Sequence, residues 1–460
     1  MVLTGMCQAH EGDILNAAEA DPGPDIGRSE TASERTTARA ARTARAGEVL
    51  DLVRRGRAST TSQIAQQMGL ARSTVAERVE LLRAHGLLEQ GPDVGAGGGS
   101  GDSRDSGSGG SRDSAASGTA RRGRPPSVLT FNPGAGLVLT AQLGMSAIRA
   151  AVTDLHGRIL WSRFVDLDIG YGPDVVLARV EREFTRGLTA LGASPARVHG
   201  ISVGVPGTVE LGTTQPPPSG PTRPWIDYPI AERLANLYPG PVFVEPDINL
   251  LALGEHRGAW PDAPVFVLLK VGTVIESGIV IGDRVARGAA GLAGEIGHTH
   301  VPGASAECAC GNVGCLSAIA SGGALARTLN DGGHAIGTAR EVAEAANGGV
   351  LEARQAVREA GREIGEVLAG VINLLNPQVI SIWGYLADAG DHLFAGVHES
   401  VYRYAVHAAT RNLRIERSRL GDDASTRGAA AMVVERTLLP EAIDRYIQRA
   451  QDCEQVHEPG

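Results

Sequence analysis

Three cysteines and one histidine lie close together around residue 300 of the chain. The cysteines are Cys308, Cys310 and Cys315, and His298 precedes the first of them by ten positions. Thiolate and imidazole are ligands that Zn²⁺ prefers, and a closed set of four leaves no open position for a substrate. Glycines inside the cysteine run allow the tight turns that such a convergence needs. The pattern therefore predicts a structural zinc site.

Two other interpretations of these cysteines are open. A cysteine is often a small buried apolar residue, and a Cys-x-Cys pair can be redox-active. No signal sequence points to an oxidising compartment, and no apolar run is long enough to span a bilayer. The sequence thus predicts a cytoplasmic protein with no membrane contact. His300 is a spare candidate for the histidine ligand.

The residues around the cluster resemble the signature of a known family. Gly-Glu-Ile-Gly-His at 294–298, followed by Cys-x-Cys-Gly-x-x-Gly-Cys at 308–315, is similar to the signature of the ROK family, named for repressors, open reading frames and kinases. The resemblance implies that His298 and the three cysteines hold a structural zinc. It also implies that Glu295 and His298 contact a bound sugar.

Kinases of this family bind ATP through glycine-rich turns, and the resemblance implies where those turns belong. The first, Asp-x-Gly-Gly-Thr in the family, reads Gln-Leu-Gly-Met-Ser at Gln142–Ser146, so its acid is missing. The second reads Gly-Thr-Val-Ile-Glu at Gly272–Glu276, with a carboxylate where a phosphate would bind. At a third turn a Gly-Gly pair has become Gly384-Tyr385. These departures predict that kinase activity is lost and that the protein is not an enzyme.

The sugar-binding residues of the family are better preserved. Glu-Pro-Asp-Ile-Asn at 245–249 resembles the family pattern Glu-Asn-Asp-Ala-Asn and places Asp247 at the position of the catalytic base, here without ATP to serve. The resemblance implies a sugar-binding set made of Gly207, Asp247, Glu295 and His298.

Two features of this pocket count against a conventional sugar ligand. Pro246 replaces a sugar-contacting Asn, and Ser317 stands where the family usually has Glu. The residues also have structural interpretations, because Asp247 can cap the helix that follows it and Glu295 can bond to neighbouring amides. An unusual sugar, a phosphosugar or a vestigial pocket all remain open at this stage.

The segment at 41–90 has a different pattern, with apolar residues at helical spacing in three short blocks. It predicts helix, helix, turn, helix, with Thr60 and Gln63 as a capping box and Gly69 in the turn. In such a unit the third helix enters the major groove of DNA. The predicted DNA contacts on that helix are Arg72, Ser73, Thr74 and Arg78. A three-helix packing module without a DNA role is the alternative.

A wing is expected to follow these helices. Strands are predicted near 87–89 and 128–131, separated by a Gly/Ser-rich insertion at 91–120 and by Arg121, Arg122 and Arg124, which suit a narrow minor groove. The segment at 41–90 holds eight Arg against five Asp or Glu, whereas the whole chain has a formal charge of -9. The unit resembles the winged helix-turn-helix of ROK-family repressors.

From residue 132 onward strand and helix patterns alternate. The fold class expected from the pattern and the resemblance is α/β: an N-terminal winged helix-turn-helix, then a two-lobed actin-like (ribonuclease-H-like) domain of the ROK sugar-kinase type. The predicted domains are a disordered tail at 1–40, the winged unit at 41–131, the ROK domain at 132–445 and a tail at 446–460.

The sequence therefore predicts a DNA-binding transcriptional regulator, a repressor of carbohydrate-related genes that responds to a sugar or phosphosugar. Its expected partners are double-stranded DNA with an inverted-repeat operator and a second copy of the chain, as a homodimer or homotetramer. Two alternatives are an ATP-dependent sugar kinase with an appended DNA-binding module and a regulator controlled by a protein partner.

Overall fold

The computed structural model describes residues 45–91, 128–207, 223–225 and 227–456. The chain divides into two compact units, one formed by 1–135 with 438–460 and the other by 136–437. The predicted tail at 1–40, nearly all of the predicted insertion, and Arg121, Arg122 and Arg124 lie outside the described residues. No helix in the described ranges is long and apolar enough to cross a membrane.

The first unit begins with the predicted helix-turn-helix and wing. Its three helices and two strands are α1 (Ala46–Arg54), α2 (Thr61–Met68), α3 (Arg72–Ala84), β1 (Leu88–Gln90) and β2 (Leu129–Phe131). The two strands pair antiparallel, with Leu88 opposite Phe131, as a wing requires. The helices bury one apolar face each, and Leu50, Ile64 and Leu82 are fully buried where these faces meet.

The turn before α3 forms as the sequence predicts, with one difference at the start of α2. Gly69 has a φ of 64°, a left-handed conformation that favours glycine. Thr60 Oγ1 accepts a hydrogen bond from the Gln63 amide at 3.3 Å, as a cap should. The Gln63 side chain, however, accepts from the Ser59 amide at 2.9 Å and not from Thr60, so the predicted capping box is only half formed.

A helix at the end of the chain completes the first unit. This helix spans Pro440–Val456 and packs on α1. The Asp444 carboxylate accepts hydrogen bonds from the backbone amides of Arg45 and Gly47, both at 2.8 Å. A Cβ on Gly47 would lie 2.1 Å from the Pro440 carbonyl oxygen, so only glycine permits this approach. The predicted boundary at residue 445 was therefore wrong, because residues 446–456 of the predicted tail continue a helix of the first unit.

The second unit contains two five-stranded sheets, which correspond to the two predicted lobes. The strands of the first sheet are β3 (Leu137–Leu143), β4 (Ala147–Asp154), β5 (Ile159–Asp166), β6 (Val198–Val205) and β7 (Val242–Pro246). Those of the second are β8 (Val265–Val271), β9 (Ile275–Ile281), β10 (Arg284–Val285), β11 (Val379–Trp383) and β12 (Arg414–Arg417). Their orders are β5-β4-β3-β6-β7 and β10-β9-β8-β11-β12, each mixing parallel and antiparallel pairs.

Helices follow the strands in sequence and cover the sheets. Those before residue 300 are α4 (Pro173–Ala190), α5 (Ile230–Ala235) and α6 (Asp247–Ala259). The others are α7 (Leu316–Ala320), α8 (Gly322–Asp331), α9 (Ala339–Asn347), α10 (Leu351–Leu375), α11 (Asp391–Tyr404), α12 (His407–Thr410) and α13 (Asp423–Thr437), and the C-terminal helix of the first unit is α14 (Pro440–Val456). The strands and helices predicted from residue 132 onward are present, with ends shifted by at most a few residues.

The topology brings several chain segments to one edge of the first sheet. Strands β6 and β7 run parallel, so their carboxyl ends meet, with Val205 opposite Pro246. Gly207 follows the first of these ends, and Asp247 follows the second as the first residue of α6. Parallel strands commonly present ligand-binding residues at their carboxyl ends.

We expect Asp444→Ala to destabilise the DNA-binding unit by about 1 kcal/mol, because the first amides of α1 then lose their acceptor. The measurement is a urea denaturation curve of the full chain, with unfolding monitored by circular dichroism. Arg445→Ala, an exposed neighbour on the same helix, is the control and should leave the transition unchanged. Equal stability of Asp444→Ala and Arg445→Ala would contradict the capping role.

Candidate functional site

The four predicted metal ligands converge in the structure. The ligand atoms of His298, Cys308, Cys310 and Cys315 all lie within 4.8 Å of one another. His298 Nδ1 is 3.6 Å from Cys308 Sγ, and Cys310 Sγ is 3.7 Å from Cys315 Sγ. In a tetrahedron with Zn–S near 2.3 Å and Zn–N near 2.1 Å, these edges would be about 3.8 Å for S···S and about 3.6 Å for N···S. The donor set is therefore compatible with a structural zinc.

Two left-handed glycines shape the loop that holds the thiols. Gly311 and Gly314 have φ values of 92° and 76°. A Cβ on Gly314 would lie 2.7 Å from the Ala304 carbonyl oxygen, so this glycine is required for close packing as well as for its φ. His300 pairs with Cys315 through the backbone and is not in the converging group.

His298 connects the metal cluster to the predicted sugar pocket. Its Nδ1 faces Cys308, and its Nε2 lies 3.7 Å from Glu295 Oε2. A histidine that binds a metal through one nitrogen commonly directs the other towards a carboxylate, which fixes the orientation of both groups. The cluster thus positions Glu295 in the loop that precedes it.

A buried lysine occupies the other side of this pocket. Lys270 Nζ donates to Asp247 Oδ2 at 2.7 Å and to Glu276 Oε2 at 2.9 Å. Asp247 is 6% exposed and Glu276 is 8% exposed, so both ion pairs are shielded from water. Burial alone would lower the pKa of the Lys270 ammonium, but the charges of the two carboxylates raise it above its ordinary value.

The pairing of Lys270 with Glu276 follows from the register of the β8–β9 hairpin. The two residues are directly opposite in the antiparallel pair, so their side chains emerge on the same face of the sheet. The resemblance to the ROK kinases implies that the Glu276 carboxylate stands where a phosphate would bind. The structure directs it to Lys270, beside Asp247.

Glu276 and Glu295 meet beside Gly207. A Cβ on Gly207 would lie 3.3 Å from Glu276 Oε1 and 3.4 Å from Glu295 Oε1, so both carboxylates face this strand end. Burial, and then the negative charge of Glu276, raise the pKa of Glu295 to about 7. All four residues of the predicted sugar set are therefore connected, from Asp247 through Lys270 and Glu276 to Gly207, Glu295 and His298.

The structural interpretations of these carboxylates find no support in the described residues. Asp247 does not cap α6, since its Oδ2 binds Lys270 and its Oδ1 is buried without a hydrogen-bond partner. Glu295 precedes a short 3-10 turn and makes no side-chain cap there. Ser317 binds the backbone of Ile275, with its Oγ accepting from that amide at 2.8 Å, so it fastens the loop to β9.

Two pocket residues, Lys270 and Arg287, are not predicted from the sequence. Arg287 forms a two-pronged salt bridge to Glu245, at 2.8 and 2.9 Å, and Asn249 donates to the same carboxylate at 2.9 Å. Lys270 could have been noticed as the single charged residue in the apolar strand Val265–Val271. Its partners could not, because they come from different strands and loops.

The three turns that the resemblance assigns to ATP binding contact other groups of this chain. Met145 is half-buried and packs against the core of the first sheet. The carbonyls of Gly272 and Thr273 accept hydrogen bonds from the first two amides of α8, at 2.8 and 3.3 Å. Tyr385 lies beneath the guanidinium of Arg340, which is 5.0 Å from the ring centroid.

Comparisons with known proteins agree with this architecture. The sequence profile of the ROK family matches residues 139–436, and that of the IclR helix-turn-helix domain matches 43–92. The chain belongs to the ROK family. It combines the ROK domain with a DNA-binding helix-turn-helix and is a transcriptional regulator of that family.

Individual relatives include regulators and kinases. A xylose repressor from Caldicellulosiruptor bescii is 28% identical over 338 residues, which are 70% of this chain and 84% of the relative. The fold resembles a ROK family transcriptional regulator described as a homologue of the Escherichia coli MLC protein, with a TM-score of 0.66 over 89% of this chain and 99% of that chain, at 23% identity. A ROK hexokinase from Thermus thermophilus has a TM-score of 0.54 at 30% identity, over 65% of this chain and 99% of that chain.

The helix-turn-helix of this ROK regulator presents most, but not all, of the predicted DNA contacts. Arg72 and Ser73 are exposed at the start of α3, and Thr74 is half-buried. Arg78 is only 6% exposed, and its guanidinium donates to the Thr74 carbonyl at 2.9 Å. The structure thus differs from the prediction of a DNA contact at Arg78, because the long side chain folds back along its own helix. Ala71 supplies no side-chain cap to α3, as its residue type predicts.

Proposed function

We propose that this ROK regulator is a repressor of carbohydrate-related genes, that it senses a small sugar-type effector in the pocket around Asp247, and that it does not phosphorylate that effector. Because it would bind both DNA and a small metabolite, we expect it to act in the cytoplasm. The pocket residues Gly207, Asp247, Glu295 and His298 support the sensing role. Repressors among the relatives support the sign of regulation.

The observation that carries the proposal is the ion pair between Lys270 and Asp247. A general base must take a proton from the sugar hydroxyl that attacks the phosphate. Here one oxygen of that carboxylate already accepts a charge-assisted hydrogen bond from the Lys270 ammonium at 2.7 Å. Burial raises the pKa of Asp247 overall, and this ammonium opposes that rise. The other oxygen, Asp247 Oδ1, is buried without a partner and can accept a hydrogen bond from a ligand hydroxyl.

The turns that the resemblance assigns to ATP binding support the same conclusion. Helix N-termini bind phosphate through free amides. The first amides of α8 are already bonded to the carbonyls of Gly272 and Thr273. Met145 packed in the first turn and Tyr385 stacked with Arg340 in the third also support the loss of ATP binding.

We also propose that His298, Cys308, Cys310 and Cys315 hold a structural zinc. Zinc would cross-link residues that the backbone alone holds through a few loop hydrogen bonds. The chain itself places Glu295 next to His298. The loop that would hold the zinc therefore also carries a carboxylate of the proposed sugar pocket.

For DNA recognition we propose that α3 enters the major groove with Arg72 and Ser73 leading, and that the wing arginines Arg121, Arg122 and Arg124 contact the minor groove. The uncapped amides at the start of α3 suit a phosphate oxygen. Recognition of an inverted repeat requires two such helices, so we propose a homodimer, or a homotetramer built from two dimers.

Cys310→Ser is expected to lower the zinc content of the purified protein from about one per chain and to lower its melting temperature, because metal binding and loop folding are coupled. Elemental analysis and a thermal melt measure the two effects. Cys7→Ser is the control, since Cys7 is outside the ligand set. Wild-type protein that lacks zinc and melts at the same temperature with and without a chelator would disprove the zinc site.

Arg72→Ala should weaken operator binding about tenfold or more and reduce the slope of log affinity against log salt concentration by about 1 if Arg72 contacts a phosphate. The operator is first obtained by selection from random duplexes with the full chain, and binding is then followed by fluorescence anisotropy. Arg83→Ala is the matched control, because Arg83 lies in the last turn of α3 and pairs with Glu80 at 2.8 Å. Equal affinities for both variants would exclude a recognition role for Arg72.

The sensing role is tested by a thermal-shift screen of the full chain against sugars, amino sugars, their phosphates and ATP. A ligand at a hundredfold excess over its Kd stabilises the folded state by about 2.7 kcal/mol, which raises the melting temperature measurably. We expect a shift with a sugar-type ligand, none with ATP, and release of the operator by that same ligand.

Two results would overturn this function. ATP-dependent phosphorylation of a sugar that is lost in Asp247→Asn would make the protein a kinase. Operator binding that no small molecule alters, but that a cellular protein reverses, would make it a regulator controlled by a protein partner.

A further inference from the structure

The candidate sugar pocket has more carboxylates than cations. Asp247, Glu276 and Glu295 lie around it. Among the described residues, Lys270 binds the first two, and His298 lies 3.7 Å from Glu295. Both short hydrogen bonds of the Lys270 ammonium go to Asp247 Oδ2 and Glu276 Oε2. The ammonium therefore neutralises charge at these two oxygens. It does not donate to Asp247 Oδ1, Glu276 Oε1 or Glu295.

The uncompensated oxygens converge on one place. Glu276 Oε1 and Glu295 Oε1 both lie close to the position that a side chain on Gly207 would occupy, at 3.3 and 3.4 Å from it. No donor from the described ranges hydrogen-bonds to either oxygen. Asp247 Oδ1, on the far side of Lys270, is also buried and without a partner. These three carboxylate oxygens accept no hydrogen bond from the described residues, and two of them, Glu276 Oε1 and Glu295 Oε1, lie beside Gly207.

Charge then discriminates among sugar ligands. A phosphate or carboxylate on the ligand would be repelled by Glu276 and Glu295 at short range, in a site shielded from water. A neutral sugar would supply hydroxyl donors but would leave the charge of the carboxylates uncompensated. A protonated amine would supply both donors and charge, and charge-assisted hydrogen bonds are about twice as strong as neutral ones.

We infer that the effector of this regulator is an unphosphorylated sugar carrying a free, protonated amine, and that Glu276 is the specificity-determining residue that binds this amine together with Glu295 beside Gly207. Asp247 Oδ1 accepts from a ligand hydroxyl, and Lys270 holds Asp247 and Glu276 in place. This inference rests on the proposed sensing function, since it names the ligand class of the same pocket.

The test is titration calorimetry of the full, zinc-replete chain at pH 7 with glucosamine, galactosamine and mannosamine. Each is compared with its neutral parent sugar, its N-acetyl derivative and its 6-phosphate. We expect at least one amino sugar to bind ten times more tightly than its parent and N-acetyl forms, and its 6-phosphate to bind more weakly than the amine. The same amino sugar should release the operator.

Two variants assign the preference to the pocket. Glu276→Gln is expected to lose at least tenfold more affinity for the amino sugar than for the neutral parent, so the ratio of the two affinities falls. Glu352→Gln removes the same charge from an exposed position in the first turn of α10 and should change neither affinity. If Glu276→Gln has a lowered melting temperature, Glu295→Gln provides a second measurement of the same amine preference.

The outcomes separate this inference from the proposed function. A neutral parent, an N-acetyl sugar or a 6-phosphate that binds as tightly as every amine overturns the amine assignment and leaves sugar sensing in place. An amine preference that persists unchanged in both Glu276→Gln and Glu295→Gln also overturns it. Binding of no sugar in the panel overturns both the amine assignment and sugar sensing.

Discussion

The pocket of the ROK domain depends on one buried ammonium held between two carboxylates. Lys270 comes from β8, Glu276 from the strand opposite, and Asp247 from the start of α6, so three separate elements meet at this charge. Removing one partner of a buried ion pair typically costs about 3–5 kcal/mol, because the remaining charge is left uncompensated. The three residues therefore act as a unit. The position that the family resemblance assigns to a catalytic base, Asp247, is thus held in a buried ion pair.

The metal loop and the pocket are coupled through a single histidine. His298 faces the thiols with one ring nitrogen and Glu295 with the other. Glu295, whose pKa is raised to about 7 by burial and by Glu276, lies 3.7 Å from that histidine, so the cysteine loop and this carboxylate are neighbours. Ser317, two residues after the last cysteine, binds the backbone of Ile275 and fastens the loop to the strand that carries Glu276.

The DNA-binding unit has its own long-range constraint. Its first helix begins at Arg45, which is in a left-handed conformation and offers no side-chain cap. The missing acceptor is Asp444, 399 residues further along the chain, on the C-terminal helix. The unit is consequently assembled from both ends of the chain, and the fold of the helix-turn-helix cannot be separated from α14. On α3, Arg78 is buried, whereas Arg72 and Ser73 are exposed in the first turn.

The sequence by itself determined the order of the elements, the helix-turn-helix and the four cysteine and histidine donors, because these follow from local periodicity, capping, glycine turns and spacing. Asp247 and Glu295 were identified through the family resemblance. Only the tertiary structure decided that Lys270 and Glu276 belong to the pocket, that α14 belongs to the DNA-binding unit, and that Arg78 is buried. Each of these depends on strand register, on packing between distant segments or on the rotamer of one long side chain. Such contacts are set by the whole fold, so no window of the sequence contains them.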